Sequence, residues 1–140
     1  MTEEQLRRAD IILGNLQSPL QLKKCENLKW IQLNNAGTEG YCEPGLLPES
    51  AQLANATGAY GMAISEHMIG CLFALRKKLL LYWDNQKAHC WHSEGHVKVI
   101  ERSNVLVIGC GDIGMTFGRK MNALGCRVSG IRRRVSKKSD

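Results

Sequence analysis

Read for its alternation of apolar and polar positions, the chain divides into three blocks and shows no internal repeat. In the first, residues 1–60, short helical stretches separate short apolar runs. Ala9-Asp10-Ile11-Ile12-Leu13-Gly14 reads as a short buried strand stopped by glycine, since a brief apolar run closed by a turn residue is a strand signal. Leu28-Lys29-Trp30-Ile31-Gln32-Leu33 alternates apolar and polar, and Asn34-Asn35-Ala36-Gly37 ends it as a loop. Leu53-Ala54-Asn55-Ala56-Thr57-Gly58 is a weaker strand-plus-turn pattern. Strands separated by helical stretches predict a parallel α/β layer.

The second block, about residues 63–83, reads as one long helix. Met68, Ile69, Leu72, Phe73, Leu75, Leu79, Leu80, Tyr82 and Trp83 cover more than one stripe of it. A helix apolar on so many sides is expected to lie buried between partners, either two domains or two subunits. Glu66 suits its first turn through the helix dipole, and Arg76-Lys77-Lys78 lie somewhat before its end.

The third block opens with a loop, residues 85–103. Asn104-Val105-Leu106-Val107-Ile108 is by composition a fully buried strand, and Gly109-Cys110-Gly111-Asp112-Ile113-Gly114 follows at once. Residues 115–124 read as a helix with Phe117, Met121 and Leu124 on one face, Gly125 stops it, and Arg127-Val128-Ser129-Gly130-Ile131 is the next strand. Strand, GxGxxG, helix, strand is the context a dinucleotide-binding glycine loop requires, the alternative being a mere tight turn. Gly109 turns the chain off the strand, Gly111 lets the backbone approach a pyrophosphate, and Gly114 lets the helix pack on the strand. The helix start then offers free N–H groups and a positive dipole end to phosphate. After the second strand a carboxylate would hydrogen-bond the adenosine ribose of NAD, but Arg132-Arg133-Arg134 stand there, with no acid until Asp140. Arginine pairs bidentately with a 2′-phosphate, so NADP is favoured over NAD. The alternative is that these arginines face solvent and the cofactor is NAD.

Composition narrows the picture. At 140 residues, 44% apolar and 23% charged, the chain is of globular type and long enough to bury a core. Its net charge of +6 is not spread evenly: residues 119–140 hold eight Lys/Arg and one acid, the rest eleven bases and twelve acids. A basic run confined to one stretch, without interleaved aromatics, argues against nucleic-acid binding. No membrane span is expected, because the most apolar stretch is interrupted by Glu66, Arg76, Lys77 and Lys78. The six cysteines (25, 42, 71, 90, 110 and 126) form no CxxC pair and are read as reduced and buried, in a cytoplasmic protein. His89-Cys90-Trp91-His92 and His96 carry zinc-type ligands, but in a loop with a bulky tryptophan, so a solvated loop is the expectation and no metal site is assigned.

These segments together, with Asn35-Ala36-Gly37-Thr38-Glu39-Gly40-Tyr41 and Ile64-Ser65-Glu66-His67, resemble the D-isomer-specific 2-hydroxyacid dehydrogenases in order and spacing across nearly the whole chain. The resemblance implies a partial flavodoxin-like substrate domain in residues 1–60, then a linker helix and the first β-α-β of a Rossmann NAD(P)-binding domain in residues 61–140. It implies hydride transfer between a nicotinamide and a small 2-hydroxy or 2-keto acid, and a homodimer in the full-length parent. Carried over by position, Asn35, Ala36, Gly37 and Thr38 match the loop whose backbone N–H groups grip the substrate carboxylate. Gly109, Gly111, Asp112, Ile113 and Gly114 match the pyrophosphate loop, with Arg132 and Arg133 at the adenosine end. The alternative for residues 35–38 is an ordinary strand-end turn.

The family's arginine, carboxylate and histidine are expected beyond residue 140, and none of His67, His89, His92 or His96 matches the catalytic histidine. No catalytic residue is therefore assigned. Two parallel strands and one helix also leave an apolar sheet face bare, where a Rossmann sheet has both faces covered. The chain is accordingly expected to be a fragment, inactive alone, with a non-catalytic nucleotide-binding or dimerisation remnant as the alternative.

Overall fold

The computed structural model describes residues 1–133, and the chain divides into two compact units, Met1–Ala59 and the segment from Tyr60 onward. Arg134, Lys137, Lys138 and Asp140 lie outside the described residues.

The first unit opens with α1 (Glu3–Arg8), started by a reciprocal cap in which the Thr2 hydroxyl accepts from Gln5 N–H and the Gln5 side chain accepts from Thr2 N–H. Then follow β1 (Ile11–Leu13), a 3-10 helix (Pro19–Lys24), β2 (Trp30–Gln32) and β3 (Gln52–Ala54). The strands form one parallel sheet in the order β1-β2-β3, with Ile12 beside Ile31 and Ile31 beside Leu53. Side chains alternate across a strand, so the middle residues Ile12 and Ile31 point into the core while Ile11 and Leu13 are exposed. The expected buried first strand is thus covered on one face only, and the expected six-residue runs pair over three residues. Leu6, Leu16, Leu22, Cys25, Leu28, Leu33, Tyr41 and Leu46 complete the core. Full burial of each aliphatic side chain contributes about 1.5–3 kcal/mol.

The second unit contains α2 (Gly61–Arg76), α3 (Leu79–Lys87), β4 (Asn104–Ile108), α4 (Asp112–Ala123) and β5 (Arg127–Ile131). The strands β4 and β5 are parallel and in register from Asn104 beside Arg127 to Ile108 beside Ile131. Met121, Ile100 and Cys126 are its buried cluster, with Phe117, Val105, Val128, Ile69, Leu72 and Phe73 packed against them. The expected full burial of β4 is corrected: Val107 is buried, but Leu106 and Ile108 are 58% and 81% exposed, because only one face of the pair is covered.

The single helix expected over residues 63–83 is two helices. Lys78 takes a left-handed conformation (φ 56°) between α2 and α3. Residues 76 and 78 of a continuous helix point about 200° apart. At the break both serve one loop: Arg76 donates to the Val99 carbonyl at 3.2 Å, and the Lys78 ammonium donates to the Glu94 carbonyl. These helices bury only part of their apolar surface among the described residues: Ile69, Leu72 and Phe73 pack inward, while Met62, Leu75, Leu79, Leu80 and Trp83 are exposed. The cysteine expectation is corrected likewise. All six are free, but only Cys25 and Cys126 are buried, Cys110 is half-buried, and Cys42, Cys71 and Cys90 are exposed.

Candidate functional site

The glycine loop stands at the C-terminal end of β4. Gly109 has φ 98°, a conformation that side chains rarely adopt, and its N–H donates to the Ile131 carbonyl at 2.8 Å. This bond continues the β4–β5 ladder past its last pair, so the turn begins level with the end of β5. Cys110 lies over the same edge, its thiol 3.6 Å from the Ile131 carbonyl. Gly111 is the N-cap of α4 and supplies no side-chain cap, so the first N–H groups of the helix are not closed off by a capping side chain. The helix starts at Asp112, three residues before the 115 expected, which puts Asp112, Ile113 and Gly114 inside its first turn. At Gly114 a Cβ would lie 2.1 Å from the Gly109 carbonyl oxygen and 3.0 Å from Val107 Cγ1. Backbone packs against backbone there, and any side chain would pry the helix off the loop.

Beneath the loop, Met68, Leu106, Val107, Ile108, Ile113 and Phe117 line a shallow apolar hollow of about 360 Å³ that includes Gly109 and Gly114. Arg132 and Arg133 follow Ile131 directly, so the in-register pair Ile108–Ile131 sets glycine loop and arginines on one edge of the sheet. Arg132 is half-buried and Arg133 exposed. A helix start without a side-chain cap presents N–H groups and a positive dipole end at this edge, and the backbone of Arg132 and Arg133 leaves the sheet there too.

Residues 35–38 follow β2 in the first unit. Its parallel sheet brings the residues after all three strands to one edge, and these brace the loop. The Asn15 amide donates to Asn35 Oδ1 at 2.6 Å and the Asn55 amide to the Ala36 carbonyl at 2.7 Å, while the Thr38 carbonyl accepts from Tyr41 N–H at 3.0 Å. The Glu39 carboxylate lies over Gly37, where a Cβ would come within 2.1 Å of it. Asn15, Asn55 and Glu39 were not singled out by the sequence pattern; the signal that finds the asparagines is their place just after β1 and β3.

Among the described residues no three His, Cys, Asp or Glu side chains come together as a metal cluster. His89, Cys90 and His92 instead line an open cleft of about 820 Å³ with Tyr82 and Trp91. No described helix is long and apolar enough to cross a membrane.

The family model described as D-isomer specific 2-hydroxyacid dehydrogenase, NAD binding domain, matches residues 69–140. A glycerate dehydrogenase of Methylorubrum extorquens is 26% identical over 136 residues, covering 89% of this chain and 43% of its own length. The crystal structure of a D-isomer specific 2-hydroxyacid dehydrogenase family protein from Aeromonas salmonicida superposes with a TM-score of 0.84 at 26% identity, over 98% of this chain and 44% of that one. An acyclic imino acid reductase solved with NADPH and D-Arg shares the fold, with a TM-score of 0.81 at 20% identity over 98% of this chain and 46% of its own. The chain thus spans less than half the length of these relatives.

Proposed function

The chain belongs to the D-isomer specific 2-hydroxyacid dehydrogenase family, and from that premise we propose that it is part of an NADP-preferring oxidoreductase acting on a small 2-hydroxy or 2-keto acid. In this reading residues 61–140 belong to the dinucleotide domain and residues 1–60 to the substrate domain. The N–H groups at the start of α4, around Gly109, Gly111, Asp112, Ile113 and Gly114, hold the pyrophosphate. Arg132 and Arg133 hold the 2′-phosphate, and the backbone of Asn35, Ala36, Gly37 and Thr38 holds the substrate carboxylate. When bound, the cofactor supplies the nicotinamide that gives or takes the hydride; this chain's own residues bind and orient. The acid/base histidine, its carboxylate and the substrate arginine come in this proposal from sequence beyond residue 140.

One observation carries the reading: an uncapped helix start stands level with Arg132 and Arg133 on one sheet edge. Titration with NADPH and NADH, followed by cofactor fluorescence, tests it. NADPH is expected to bind at least tenfold more tightly, since each charge-assisted hydrogen bond contributes about 1.5–3 kcal/mol. Replacing Arg132 and Arg133 together by serine should remove that preference and leave NADH unchanged. Tighter binding of NADH by the unsubstituted protein would instead favour an NAD enzyme with solvent-facing arginines.

A homodimer of the full-length parent is part of the same proposal. Its support is the apolar surface that α2 and α3 leave exposed at Met62, Leu75, Leu79, Leu80 and Trp83. Sedimentation of the full-length protein should give twice its own mass, and Leu79→Glu with Leu80→Glu should give the monomer. The six free thiols are the support for a cytoplasmic location, which imaging of the tagged protein would test.

A further inference from the structure

Gly61 has no backbone reason to be glycine. It lies in the first turn of α2, is buried, and is absent from the glycines with positive φ. Alanine would serve the helix better. What uses the missing side chain is Asp112, 51 positions later at the start of α4. A Cβ at residue 61 would lie 2.6 Å from Asp112 Oδ1 and 2.9 Å from its Cγ and Oδ2, well inside van der Waals contact. The apposition is fixed from neighbouring residues. Lys120 of α4 donates to the Met62 carbonyl at 3.2 Å and to Glu66 at 3.0 Å, which pins the first turns of α2 onto α4. Ser65, fully buried in the same stretch, donates to the Met62 carbonyl at 2.8 Å.

The position of Asp112 poses an electrostatic problem. A carboxylate in the first turn of a helix is drawn to the same N–H groups and dipole end that attract a phosphate. Beside a pyrophosphate it also repels that ligand directly. We propose that Gly61 is a positioning residue for the dinucleotide: it provides the space in which the Asp112 carboxylate lies turned toward α2, leaving the amides of the glycine loop to the pyrophosphate. The inference rests on the dinucleotide reading above. A side chain at 61 evicts the carboxylate, and rotation about its Cα–Cβ bond returns it toward the helix start, where it competes with the cofactor.

The test is a double-substitution cycle on Gly61→Ala and Asp112→Ala, read by NADPH binding and by melting temperature. Gly61→Ala is expected to weaken NADPH binding about tenfold with no fall in melting temperature. In the Asp112→Ala background the same Gly61→Ala change is expected to alter binding less than about twofold, because no carboxylate remains to be displaced. Unchanged binding in Gly61→Ala overturns the proposal, and so does an equal loss in both backgrounds, which would assign the effect to α2 packing. If the unsubstituted protein binds neither NADPH nor NADH, the dinucleotide reading itself fails, an outcome distinct from the other two because no variant is then compared.

Discussion

The first unit encloses a cluster of ten buried apolar residues behind strands only three residues long, whereas the second, with strands of five residues, encloses a cluster of three among its described residues and leaves Leu106, Ile108 and Ile131 in contact with solvent. Strand length is therefore not what makes a core here. In the first unit Leu6, Leu22, Leu28, Tyr41 and Leu46 fold over one sheet face from helices and loops and close it locally. In the second, α4 and α2 supply residues to one side of β4 and β5, while Leu106 and Ile108 on the same strands remain uncovered. The proposed anion-binding edge thus stands on the less enclosed of the two units.

The sharpest way to break this comparison is to remove a side chain from each core. Ile31→Ala, at the centre of the three-stranded sheet and fully buried, is expected to cost about 2–5 kcal/mol in denaturant unfolding. Met121→Ala should fall at the low end, about 2 kcal/mol, because Phe117 and Val128 beside it are partly exposed and can relax into the gap. Equal costs would show the second core to be as tightly built as the first. Next in size, Ile108→Ser is expected to change stability by no more than about 0.5 kcal/mol while lowering the binding of an apolar dye. A cost above 1 kcal/mol would mean that this face is covered in solution.

The smallest effect concerns the thiols. At neutral pH a maleimide should label Cys42, Cys71 and Cys90 at once and spare Cys25 and Cys126 until the protein unfolds, as peptide mapping would resolve. Burial pushes the Cys25 thiol above its ordinary 9.0. The unfolded chain then releases this proton at lower pH than the folded one, so its contribution to stability is intact below about pH 9 and declines as pH rises further. Cys25→Ala should flatten that alkaline decline, and an unaltered pH profile would count against it.

How much of this was legible beforehand depends on whether a feature is local. The bounds of β4 could be read directly because Val105 to Ile108 run unbroken between Asn104 and Gly109, those of β5 because Val128 and Ile131 follow the helix stop at Gly125, and the glycine loop between them has a local steric cause at Gly109 and Gly114. The break at Lys78 could not, since no glycine or proline marks it and what accompanies it is a pair of long-range contacts, from Arg76 and Lys78 to the Val99 and Glu94 carbonyls. Burial of a given cysteine was equally hidden, because Cys71 stands in an apolar stretch of α2 yet is exposed, while Cys25 stands between Lys24 and Glu26 yet is buried. The partners Gly61 and Asp112 are the extreme case, joined only by the packing of α2 on α4.

One side chain in the first unit does the work of a missing strand. The Tyr41 hydroxyl accepts from Leu16 N–H at 2.9 Å and lies 3.3 Å from the Leu16 carbonyl, to which it can donate, so a phenol answers both halves of one peptide residue. In isotope-exchange terms Leu16 is then a loop amide with the protection of a ladder amide, and its opening reports the departure of Tyr41. Whatever frees that ring also loosens Thr38, whose carbonyl Tyr41 N–H holds, so the single slow amide of Leu16 is a gauge of how firmly residues 35–38 are held.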